Sequence, residues 1–90
     1  MAKYDPLQKL LYRSGEQVLK LGFDDIAGMV DGGLPPSAYD PARRMWWSNT
    51  SDRHHVQAAA WLAAGYEVTG VNYARRQVVF SQTSRKPGAW

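Results

Sequence analysis

Arg53, His54 and Gln57 stand ahead of an alanine-rich run, and their types and spacing suit hydrogen bonding to a partner. Arg53 and Gln57 are four positions apart, so on a helix they share a face. A guanidinium matches the two acceptors of a guanine edge, and a primary amide matches an adenine edge. Just before them, Asn49, Thr50 and Ser51 offer short polar side chains at a helix mouth, where free backbone N–H groups also attract phosphate. Four more arginines come as adjacent pairs, Arg43 with Arg44 and Arg75 with Arg76. Arginine's planar, permanently charged fork fits phosphate oxygens. The chemistry this set predicts is contact with duplex DNA, through base edges at the helix start and through phosphates at the two arginine pairs.

Other chemistries find less support. His54 and His55 are adjacent, so on a helix they diverge by about 100° and cannot chelate one metal as an i, i+4 pair does. Asp24 and Asp25 have no third ligand near them in sequence, and the positive end of a helix dipole accounts for them. No glycine-rich phosphate loop follows a strand, and no serine, histidine and aspartate fall at a recognisable spacing. The expectation is a non-enzymatic protein without cofactor or metal.

The elements that must position these residues follow from periodicity. A helix is predicted over 53–64, capped by Ser51 or Asp52 and closed by Gly65. Its apolar rows are Val56, Ala59, Ala60 and Ala63, and beside them Ala58, Trp61 and Leu62. Near the start, Asp5 caps a first helix with Pro6 in its first turn and Leu7, Leu10 and Leu11 as its apolar face, ending at Gly15. Leu19, Leu21 and Phe23 alternate as a strand over 17–23. Phe23, Ile26, Ala27 and Val30 then take up the helical period, with Gly22 or Asp24 as cap and Gly32-Gly33 as stop. Leu34-Pro35-Pro36-Ser37 is a stiff connector. Asp40 can cap a short helix begun by Pro41 and carrying Trp46 and Trp47, one in the core and one a partly exposed platform. After Gly65, a run over 66–73 with a bulge at Gly70, a turn over 72–76 and a return over 77–82 make a hairpin.

Composition sets outer limits. Ninety residues suffice for one domain, placed at 1–82, with 83–90 as a flexible basic tail. No run of about 18 apolar residues suggests a membrane span, and the first residues hold no apolar signal core. With no cysteine there are no disulfides or thiolate zinc sites, and a cytoplasmic location is the default expectation. Charge is uneven. Residues 1–42 carry four basic and six acidic groups, whereas residues 43–90 carry seven basic and two acidic, and six of those seven are arginine. A basic half suits an anionic partner approached from one side.

The predicted order is helix, strand, helix, short helix or turn, helix, strand, strand. It gives an α+β fold of the small winged helix-turn-helix-like kind, with a C-terminal hairpin and one earlier strand. In that arrangement the last helix enters the major groove and the hairpin lies on the flanking backbone. The alternative is a protein-binding module, such as a phage or prophage factor that docks on and inhibits a host protein, or a homodimeric adaptor. Trp47, Tyr73 and Trp90 are its interface candidates, because tryptophan and tyrosine concentrate at interface hot spots.

The segments YDPL, LGFDDI, LPPSAY, WWSN, QAAAWLAAGYEVTGVN and VVF, in that order over residues 4–80, resemble a family of short bacterial and phage domains of unknown function. The resemblance implies one intact domain of bacterial or phage origin and brings no catalytic residue or ligand. The chain departs from the pattern at Gly22, where a hydroxyl cap is usual, and in the tail after Gln82.

Overall fold

Proline at a helix start and glycine at its end shape the first element. The computed structural model describes residues 3–50 and 56–83. Helix α1, Asp5–Ser14, carries Pro6 in its first turn and ends at Gly15, whose φ of 67° is left-handed. Tyr4, not Asp5, holds the capping position and makes no side-chain cap bond, so Asp5 contributes through the helix dipole instead. Leu7 and Leu11 are buried, one turn apart. Leu10, expected on the same face, is rotated about 100° from Leu11 and is 37% exposed.

Strand β1, Val18–Gly22, turns Leu19 and Leu21 inward and leaves Val18 and Lys20 exposed. It leads directly into α2, Phe23–Met29. Gly22 is the cap of α2, and its N–H donates to Asp25 Oδ2 at 2.8 Å. The helix stops at Met29 because Val30 is already extended; Gly32 and Gly33, with φ of 80° and 73°, form the turn beyond. Two 3₁₀ segments follow, Pro36–Tyr39 and Pro41–Trp47. The second is capped as expected, with Ala42 N–H donating to Asp40 Oδ1 at 2.8 Å, and it kinks at Arg43. Helix α3 is Gln57–Ala63, and Gly65 leaves it with a φ of 85°. The caps expected at Ser51 and Asp52, and positions 53–55 of the predicted helix, lie outside the described residues.

Strands β2, Tyr66–Asn72, and β3, Gln77–Gln82, form the hairpin. The sheet order is β1-β3-β2, antiparallel throughout, and the expected bulge interrupts the β2–β3 register between Val68 and Gly70. The protein is a small α+β domain with a C-terminal hairpin and one earlier strand, as the periodicities indicated.

Its core is an aromatic column. Phe80 meets Trp61 at 5.6 Å between ring centroids, Trp61 stacks on Trp47 at 5.9 Å, and Trp47 stacks on Phe23 at 5.2 Å. Truncating a buried ring of this kind costs about 3–5 kcal/mol, a large share of the roughly 5–15 kcal/mol that holds a domain folded. Phe23 passes the column outward, with Tyr39 at 5.4 Å and Tyr73 at 6.1 Å, both edge-on. Those two tyrosines are half-buried and end the column at the surface.

Candidate nucleic-acid interface

The outer end of the aromatic column collects the arginines. Tyr39 comes from the first 3₁₀ segment and Tyr73 from the hairpin turn. Arg44 lies over the Tyr73 ring at 5.8 Å, and Arg76 lies over the Tyr39 ring at 5.4 Å. The hairpin turn thus gives a ring to Arg44 of the second 3₁₀ segment and takes one for Arg76 from the first. Such contacts are worth about 0.5–1 kcal/mol at exposed sites. Arg43 pairs with Asp40 across 3.6 Å, with both side chains exposed. Arg75 is exposed in the turn, and its N–H donates to Asn72 Oδ1 at 3.0 Å. Arg44 and Arg76, remote in sequence, thus share one surface.

Backbone geometry adds to this. Arg76 has a φ of 54°, a left-handed conformation that costs a side-chain-bearing residue about 1–2 kcal/mol. The turn needs that conformation, because the Arg76 carbonyl accepts the Phe23 N–H at 2.7 Å and so ties the hairpin to the start of α2. Glycine or asparagine is the easier choice there. Two nearby carboxylates bond locally at the surface: Asp25 accepts from Gly22, and Asp40 from Ala42 while also bridging Arg43.

The α3 side differs from the sequence expectation. Gln57, expected to read bases, is 3% exposed, and its Nε2 donates to the Trp46 carbonyl at 2.7 Å. It satisfies a backbone acceptor at the end of the second 3₁₀ segment and does not face a groove. Asn49, expected near phosphate, serves the edge strand. Its Oδ1 accepts the Val68 N–H at 2.8 Å and the Trp61 indole N–H at 3.0 Å, and its Nδ2 donates to the Val68 carbonyl at 2.9 Å. Thr50 is exposed. Ser51, Arg53 and His54 lie outside the described residues, as does Trp90.

Trp47 is corrected as an interface candidate. It is 3% exposed, its indole N–H donates to the Ala38 carbonyl at 2.8 Å, and it belongs to the core. Trp46 is the half-buried partner, edge-on to Trp47 at 4.6 Å. Tyr73 keeps a partly open ring, and burial pushes its phenol above the ordinary value of 10.0, with Arg44 opposing the rise and Asp40 adding to it. Tyr39 was missed altogether. No local signal marks it, since its arginine arrives from the far hairpin.

A family model, "Domain of unknown function (DUF7662)", matches residues 4–84. The chain belongs to this family. The match spans every element from α1 to β3 of this chain. No curated protein and no solved structure gives a significant match to the chain.

Proposed function

We propose that this domain is a non-enzymatic DNA-binding module of winged-helix type, cytoplasmic and of bacterial or phage origin. The observation that carries the reading is the placing of Arg44 over Tyr73 and Arg76 over Tyr39, with Arg43 and Arg75 as their exposed sequence neighbours. An arginine held at a left-handed turn position, where glycine is easier, further supports a role for its side chain. The element order and the β1-β3-β2 sheet agree with a wing formed by β2 and β3. Titrating the isotopically labelled protein with a short duplex tests this by amide shifts. Shifts centred on Tyr39, Arg44 and residues 73–76 support it; shifts confined to the outer sheet face, around Lys20 and Val79, reject it.

One observation favours the protein-binding alternative for a different surface. A largely apolar groove of about 420 Å³ runs between α1 and α3, lined by Tyr4, Val56, Ala59 and Ala60 together with the polar Lys3, Asp5 and Gln8. Light scattering that returns a dimer, abolished by Ala59→Glu, would support a homodimeric adaptor.

A further inference from the structure

Resting on that reading, we infer that the duplex is held by its sugar–phosphate backbone and not by base edges, so the partner is duplex DNA irrespective of sequence. Base readout requires amides or guanidinium groups free to reach into a groove. Among the described residues around the start of α3, the two amides are already employed inside the fold: Gln57 on Trp46, and Asn49 on Val68 and Trp61. The exposed positions that follow along this helix are Val56, Ala59 and Ala63, which carry no hydrogen-bonding side-chain group. The described part of the helix that carries base readout in a winged helix, residues 56–63, therefore presents methyl groups at its exposed positions.

The hairpin gives the complementary argument. Gly22, Gln77 and Asn72 are register partners, so the three strands end together and only the turn of residues 73–76 stands beyond them. A tip this short is suited to lie on a backbone ridge rather than to extend along a groove. Arg76 of this turn, and Arg44 from the second 3₁₀ segment, are oriented by rings: a guanidinium lying on Tyr39 or Tyr73 keeps its N–H edge available as a donor. That edge fits a phosphate oxygen pair. Tyr39 and Tyr73 are then positioning residues, acting through Arg76 and Arg44.

The test is selection of the full chain against a duplex library with a randomised centre, followed by affinity measurement on individual duplexes and on single strands. The expected result is recovery without an enriched motif, affinities for unrelated duplexes within about threefold, and weaker single-strand binding. A folded Tyr39→Leu/Tyr73→Leu variant should lose about three- to tenfold on every duplex by the same factor. An enriched motif, a duplex preferred by more than about twentyfold, or single strands bound as tightly would overturn the inference while leaving nucleic-acid binding in place. Failure to retain any library member would reject the DNA reading itself.

Discussion

Replacing Asn49 with alanine separates two roles that the residue's type allows. As a phosphate contact, its loss would weaken binding and leave stability unchanged. The structure makes it a clasp instead. Its amide pairs with both backbone groups of Val68 on the edge strand and takes the indole proton of Trp61, which is fully buried. The Val68 groups are half-buried and can recover water, so each of those two bonds is worth about 0.5–1 kcal/mol. The Trp61 N–H has no such recourse, and a buried donor left unpaired costs about 1–3 kcal/mol. Together the loss is about 3 kcal/mol. With a urea m-value of about 1.5 kcal/mol/M, the midpoint should fall by roughly 2 M at unchanged slope. Asn49→Asp should fare little better, because its second oxygen faces the Val68 carbonyl. Paired urea melts followed by tryptophan fluorescence measure this. A loss under about 0.5 kcal/mol accompanied by weakened duplex binding would refute the argument and return Asn49 to the interface.

Three other outcomes follow from particular contacts. Arg76→Gly relieves a left-handed φ, so stability should hold or rise by up to about 1 kcal/mol while duplex affinity drops; thermal melts and binding together would expose a purely structural arginine if affinity stayed intact. Tyr66 is buried, and its hydroxyl donates to the Glu16 carbonyl and accepts from Gln82 Nε2, fastening the end of α1 to the hairpin. Tyr66→Phe should cost about 1–2 kcal/mol by denaturant titration, and no change would show the hydroxyl to be idle. Burial raises the phenols of Tyr4 and Tyr73 above 10.0, so the unfolded chain loses those protons first. Their stabilisation is complete below about pH 9 and fades as pH climbs through 10 and beyond, and a Tyr4→Phe/Tyr73→Phe variant should show a shallower alkaline decline.

Much of the fold could be read from local pattern because its causes are local. The alternation of Leu19 and Leu21, the bulge by Gly70, the Asp40 cap and the glycine exits of α1 and α3 depend on residues a few positions apart. What escaped reading depends on tertiary partners. Asn49 and Gln57 are polar residues near a helix start, and sequence cannot show that an edge strand and a 3₁₀ carbonyl need them. Trp46 and Trp47 could be divided into core and rim in kind but not by number, since the 3₁₀ geometry decides it. At the arginine surface the charges were visible, whereas the tyrosines beneath them were not. Each ring and its cation come from segments far apart in the chain.

The slope of log affinity against log salt for a short duplex tests the central claim most directly. Arg44, Arg75 and Arg76, leaving out the Asp40-bridged Arg43, should each displace a counterion, giving a slope of about −2.7 or steeper. Between about 50 and 200 mM salt that is a loss of roughly 40-fold or more. In an Arg75→Ala/Arg76→Ala variant the slope should become shallower by about 1.8. Weak, salt-insensitive binding, or an identical slope in both proteins, would contradict it.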